Sequence, residues 1–418
     1  MRLIVGYRRY RRLAYAPALC FAFNAIAAAR AQDRPAQPGF RTGTELIRVD
    51  FTVTDKAGRP MSGLIAKDVS VKEDGKEQVI VAFDAFAGSD RTIASAAGLG
   101  NTPDASPSRS GAAPLNASTV LLVDDTHLTA EQAARLRPAL KGLLTTVGRR
   151  SGSLMLVSPA SKISLLAVLP TGAASLLPAV DRIVGTRVEE RTNFPVADAE
   201  ALAILKRDNP TIARVATRFV TLNPELSKDQ AETIAIERGV QVAHDAVVRR
   251  DTMYDGAIVC LDWLGGRPGR HSLIVVSAGF PTDETDSKYY DVVTRSLRVN
   301  APIHFLDARG LSGFNRYHDV EFSPLLSRDA DDGPFGRWQA AEGTMGLAID
   351  TGGLIVDNTN NMEKGLDQLL DTMAAFYVLA YQAPPHNKAG FHTIKVDVRG
   401  KGITVRARRG YYAQAAAK

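Results

Sequence analysis

The chain has 418 residues, 45% of them hydrophobic, and a formal charge of +6; that length suits two or three domains with a sizeable core. Arg2, Arg8, Arg9, Arg11, Arg12 and Arg30 account for the whole charge, so residues 32–418 are neutral. No basic stripe with interleaved aromatics occurs elsewhere, which argues against a nucleic-acid-binding face.

Those arginines belong to the first element. "MRLIVGYRRYRR" is a basic leader, "LAYAPALCFAFNAIAAA" an apolar segment, and Ala29-Arg30-Ala31 a small-x-small cleavage signal before Gln32. The pattern predicts a signal peptide over 1–31 and export to the periplasm or beyond, by a Sec or a twin-arginine route. An apolar run of 17 residues is at the short end for spanning a bilayer, so an inner-membrane anchor is the second reading. Cys20 leaves with this segment. Cys260, alone in "AIVCLDWL", then has no intrachain partner and reads as a small core residue.

Residues 32–87 form an N-terminal β unit. "ELIRVDFTVTD" alternates, with Ile47, Val49, Phe51 and Val53 on its apolar face. "DVSVKEDGKEQVIVAFDAF" gives two more strands around an Asp74-Gly75 turn. Residues 88–117, rich in Gly, Ser, Ala and Pro, read as a flexible linker.

From 118 the pattern changes. "TVLLV", "SLMLVSPA", "ISLLAVL", "SLIVVSA" and "PIHFLDA" are short continuous apolar runs, and helical patterns cover 129–147, 173–184, 286–299 and 341–349. Buried strands alternating with helices predict an α/β fold over 118–358, a doubly wound and mostly parallel sheet. A helical insertion occupies about 195–264. Its last helix starts at Ser227, a candidate N-cap, and spans about 55 Å if unbroken. Residues 359–418 hold a last helix and a C-terminal β unit ("AFYVLAYQAPP", "FHTIKVDVRG", "GITVRARRGYYA"). Neither β unit has enough strands to bury a core alone, so the two are expected to meet as one small β-sandwich.

"VTDKAGRPMSGLIAKDVSVKEDGKEQVI", "VLLVDDTHLT", "GRHSLIVVSAGF", "IHFLDARGL", "AIDTGGLIV" and "FYVLAYQAPP…FHTIKVDVRGKGITVRARRGYY" resemble the bacterial secreted family called "VWFA-related", built around a von Willebrand factor A domain. The likeness runs in family order over about residues 40–413. It implies a metal-ion-dependent adhesion site at the strand ends: Asp-x-Ser-x-Ser after the first strand, a Thr in a middle loop and an Asp after the fourth strand. Mg²⁺ suits such a set, with one position left for a partner's carboxylate.

Carried over residue by residue, Asp124 matches the first Asp and Thr126 the first Ser. Thr192 in "EERTNFP" is the best match for the middle Thr. Leu128 stands at the second Ser and Ala278 at the last Asp, so two of the five ligands are missing. Asp125 and Asp307 are candidate substitutes. The resemblance therefore implies a degenerate site that binds Mg²⁺ weakly or not at all, and Leu128→Ser with Ala278→Asp is the change expected to restore it. The other reading is that Asp124 and Thr126 only hydrogen-bond the strand–helix loop into shape.

The leading functional expectation is a non-catalytic module that binds a protein partner in adhesion or envelope assembly. No small-molecule substrate is evident. Phosphate-loop, HExxH, CxxC and dinucleotide patterns are all missing, and Ser277 in "VVSAG" lacks the first glycine of a nucleophile elbow. The alternative is a phosphotransferase of haloacid-dehalogenase type with Asp124 as nucleophile. That chemistry also needs a Lys and a later acidic pair, and neither is well placed. Asp329, Asp331 and Asp332 resemble a calcium loop without its closing Glu.

Overall fold

A computed structural model describes residues 46–56, 58–87, 91–92, 117–147, 152–169, 171–188, 192–282, 285–310, 334–357, 361–384 and 390–413. The predicted signal peptide, most of the linker and the 329–332 acidic loop lie outside them. The first strands are β1 (Leu46–Thr54), β2 (Val69–Glu73), β3 (Lys76–Gln78), β4 (Ile80–Ala87) and β5 (Arg91–Thr92). Then come β6 (Ala117–Val123), α1 (Ala130–Val147), β7 (Gly152–Ser158), β8 (Ile163–Leu169), α2 (Leu177–Asp181), α3 (Asp198–Leu205), α4 (Asn209–Leu222) and α5 (Lys228–Gly265). β9 (Arg270–Ser277), α6 (Ser287–Arg298), β10 (Ile303–Asp307), α7 (Pro334–Thr351), β11 (Ile355–Val356) and α8 (Met362–Ala374) follow. The chain ends with β12 (Phe376–Gln382), β13 (Gly390–Val398), β14 (Thr404–Ala407) and β15 (Gly410–Ala413).

The larger sheet has six strands in the order β11-β10-β9-β6-β7-β8. Five run parallel, and β8 is antiparallel to β7. The link at 159–162 is too short for the crossover that a parallel neighbour needs, so the chain turns back as a hairpin. The mostly parallel α/β expectation therefore holds, with one antiparallel edge. Counted within the sheet, the order is the doubly wound 3-2-1-4-5-6, and its direction reverses between β6 and β9.

Helices cover both faces. Leu136, Leu140 and Leu143 of α1 and Leu366 and Leu369 of α8 pack on Leu121, Leu156 and Ile274. On the other side Met253 and Leu261 of α5, Val292 of α6 and Leu347 of α7 meet Leu122, Leu273 and Val275. β6 is thus buried on both sides, which is why its run is apolar at successive positions.

α5 is 38 residues long, about 57 Å at the helical rise. Ser227 caps it: its hydroxyl accepts from Gln230 N–H (3.2 Å) while Gln230 Oε1 accepts from Ser227 N–H (2.9 Å). Its first half forms a separate small core with α3 and α4 through Ile204, Ile212, Val215, Phe219, Ala231 and Ala235. A Cβ at Gly239 would lie 2.6 Å from Ile204 Cγ2, so glycine allows α3 to approach this closely. Arg218, buried, ties α4 to α3 by two bonds to Glu200, at 2.9 and 2.8 Å.

The chain ends build two antiparallel sheets, β14-β1-β12-β4-β5 and β15-β13-β2-β3. Each contains strands from both ends: β1 sits between β14 and β12 in the first, and β2 pairs with β13 in the second. Val49, Phe51, Val71, Leu379, Tyr381 and Val396 share one core between them. β5 falls inside the stretch read as linker; it pairs with the end of β4. Cys260 is wholly buried in the core, and that burial pushes its thiol up to about 12. Among the described residues, no helix is long and apolar enough to cross a membrane.

Candidate functional site

The carboxyl ends of β6, β9 and β10 meet where the sheet order reverses, the usual ligand crevice of open α/β sheets. Backbone bonds join them: Asp124 N–H to Val276 O (2.9 Å) and Ala308 N–H to Ser277 O (2.9 Å). After β6 the chain turns tightly, with His127 N–H donating to Asp124 O. Thr129 then caps α1, accepting from Gln132 N–H at 3.2 Å, while Gln132 Oε1 accepts from Thr129 N–H at 2.9 Å. "DDTHLT" is thus a turn followed by a helix cap.

Asp124 is wholly buried. Thr126 Oγ1 donates to its Oδ1 (2.5 Å), and Ser277 Oγ and His127 Nδ1 both reach its Oδ2 at 2.7 Å. A carboxylate only accepts, so the shared imidazole proton sits on Nδ1. Burial, the largest influence, pushes the Asp124 carboxyl up; the His127 imidazole and the bonds from His127, Ser277 and Thr126 pull it down, and the net direction is below the ordinary value. Gly279 N–H in turn donates to Ser277 Oγ (2.9 Å), fixing the hydroxyl. His127 is buried against Phe280, ring centroids 5.1 Å apart, and its Nε2 has no partner among the described residues.

Asp125 points the other way. It accepts from Ser158 Oγ (2.6 Å), Ala160 N–H (2.9 Å) and Ser161 N–H (2.7 Å), and so clamps the β7–β8 turn. Asp307 is gripped by Arg309 through Nε (2.9 Å) and the terminal nitrogen (2.7 Å). Neither candidate substitute makes a bond to Asp124. Thr192 accepts from Phe194 N–H (3.1 Å) within its own loop. The threonine that reaches the strand-end turn is Thr186, whose N–H and hydroxyl both donate to Asp125 O (2.9 and 3.2 Å). Leu128 and Ala278 are buried in the core cluster. The sequence reading missed Ser277, Ser158 and Ser161 as partners of the two aspartates; serines directly at the ends of the second and fourth buried runs were the available signal.

Mg²⁺ needs about six oxygens at about 2.1 Å in near-octahedral array. Here both oxygens of Asp124 are bonded to protein donors, and the His127 imidazole, 3.2 Å from the Thr126 hydroxyl, occupies one side. The residues as arranged do not fit the ion.

No family model matches the chain, and no curated protein does. Among solved structures it is weakly similar to proximal thread matrix protein 1 of the mussel byssus, with TM-score 0.29, 10% identity, and 62% of this chain and 48% of that one covered. It is also weakly similar to the open form of the pilus adhesin SpaC from Lactobacillus rhamnosus GG, with TM-score 0.28, 9% identity, and 83% and 48% covered. The chain spans about half the length of each. Likeness at this level carries no functional inference.

Proposed function

We propose that the chain is an exported, non-catalytic binding module of von Willebrand A type, acting through a protein partner in adhesion or envelope assembly. One observation carries this reading. Both oxygens of each acid at the strand ends are bonded to the chain's own donors: Asp124 to Thr126, His127 and Ser277, Asp125 to the 158–161 turn, and Asp307 to Arg309. Groups spent in this way hold loops in shape. A nucleophilic Asp124 would first have to shed two hydrogen bonds from Oδ2, and an adhesion ion would have to displace His127. The resemblance in the sequence supports the A-type assignment, and the doubly wound strand order agrees with it. The surface left for a partner is then the insertion and the sandwich, with no bridging metal.

Affinity capture from the envelope of the source organism, run with Mg²⁺ and with chelator, tests the proposal. A specific partner retained equally in both supports it. A partner lost on chelation would restore a metal-bridged site. Hydrolysis of an aryl phosphate with Mg²⁺, abolished by Asp124→Asn, would favour the phosphotransferase.

A further inference from the structure

At the amino end of the parallel sheet, away from Asp124, β9 and β10 begin against β1 and β14. A small cleft, open to solvent, lies there, and Arg270, His304, Arg406, Arg408 and Asp50 line it. Three guanidinium groups face a single carboxylate among the lining residues.

The hydrogen-bond partners of Arg270 and Arg406 are neutral. Arg270 donates to Met373 O and stacks on the Phe376 ring, 3.5 Å from its centroid. Arg406 donates to Thr54 Oγ1 (3.4 Å), and Arg408 to Arg48 O (2.7 Å) and Leu297 O (3.3 Å). Among the described residues, neither Arg270 nor Arg406 has a carboxylate within ion-pair distance. Burial lowers Arg270 to about 10, with Asp50 opposing the shift and Arg48 adding to it. Burial lowers Arg406 as well.

His304 supplies an independent observation. It is 2% exposed. Its Nδ1 accepts from Leu354 N–H at 3.0 Å, so the proton of the neutral ring sits on Nε2. Burial, then Arg270 and Arg406, press this imidazole down to about 3, which keeps it neutral. Nε2 has no partner among the described residues. A buried N–H donor without an acceptor is costly, and such groups in folded proteins find a partner.

We propose that this cleft binds a small oxyanion, phosphate or carboxylate, held by Arg270, Arg406 and Arg408 with His304 Nε2 as a neutral donor. Guanidinium forks match oxyanion geometry, and charge-assisted bonds in a half-buried cleft are the strong ones. The ligand would bridge the sheet and the sandwich, because its donors come from β9 and β10 on one side and from the β14 region on the other.

Calorimetric titration of the full chain with sodium phosphate, and separately with sodium acetate, tests it. His304→Asn keeps an oxygen to accept from Leu354 N–H and removes the Nε2 donor. Arg406→Gln removes one charge, and thermal unfolding checks both folds. The expected result is saturable binding of at least one anion, weakened about tenfold in each folded variant. The ratio of the two affinities separates a phosphate ligand from a carboxylate one. No saturable heat from either anion at about 10 mM, or binding unchanged in the folded variants, would overturn the proposal.

Discussion

Ser277 Oγ donates to Asp124 Oδ2 across 2.7 Å, tying together two strand ends that stand 153 residues apart in the chain. The serine is itself fixed by Gly279 N–H, so the carboxylate meets a donor that is already oriented. With His127 on the same oxygen, the arrangement behaves as a buried polar network in which each member satisfies another. Such networks specify one geometry when complete and are costly when broken.

The first prediction concerns acid stability. The Asp124 carboxyl is held below its ordinary value in the folded state, while in the unfolded chain it titrates near about 3.9. A carboxyl lowered on folding adds stability that is fully present above the unfolded value and is lost as pH falls through the folded one. Asp124→Asn should cost about 3 kcal/mol at neutral pH, because His127 and Ser277 stay buried with a poorer acceptor. Urea unfolding from pH 7 to 2 should show the gap between parent and variant closing below about pH 4. A gap of constant size would mean that Asp124 does not titrate in this window.

The sequence made the sheet strands readable because burial period is local. Ile47, Val49, Phe51 and Val53 alternate on a one-sided strand, and Val120 to Val123 run unbroken on a two-sided one. The Ser227 cap was readable for the same reason. Long-range choices were not. β1 pairs with β12, Val49 opposite Leu379, and nothing near Val49 encodes that partner. At the site, Asp124 and Thr126 stood out, but the strand pleat presents Ser277, rather than residue 278, to Asp124. The choice between Thr186 and Thr192 depends on where the loop is anchored, and Thr186 N–H and Arg187 N–H are bonded to Asp125 O and Leu128 O.

The restoring change drawn from the resemblance meets an obstacle visible only in the fold. Leu128 is wholly buried in the cluster that holds Leu136 and Leu140. Leu128→Ser should cost about 3 kcal/mol or more through lost packing alone, and Asp at position 278 would add a buried charge. An ion returns about 2.7 kcal/mol only when present at about a hundred times its dissociation constant. Calorimetry should therefore show the double variant less stable than the parent with Mg²⁺ or with chelator, and the parent indifferent to both. A parent melting temperature that rises with millimolar Mg²⁺, and does not in Asp124→Ala, would show that the network opens to admit the ion.

Cys260 is packed into the α5 core with its thiol pushed up to about 12. Thiolate is the reactive form, so iodoacetamide should leave the native protein unmodified for hours and label it fully in denaturant. Rapid native labelling at neutral pH would show that α5 lifts from the sheet.

The last prediction tests the seam between the two chain ends. Tyr381 of β12 donates to Glu73 of β2 at 2.6 Å, and Tyr411 of β15 reaches the same oxygen at 3.3 Å. The first bond crosses between the two sheets and joins residues 308 apart. Burial, then the bond to Glu73, pushes the Tyr381 hydroxyl well above its usual value, so it stays a donor. Tyr381→Phe keeps the ring in the core and removes one donor from a buried carboxyl group. Its cost should be about 1.5–3 kcal/mol, the range for a lost bond to such a group. Replacing both partners by apolar groups is less costly than orphaning one. Tyr381→Phe combined with Glu73→Met should therefore be more stable than the sum of the single changes, a coupling of about 1 kcal/mol in a double-mutant cycle. Urea unfolding of the four proteins measures it. Additive single changes would mean that the bond between Tyr381 and Glu73 contributes nothing to the seam.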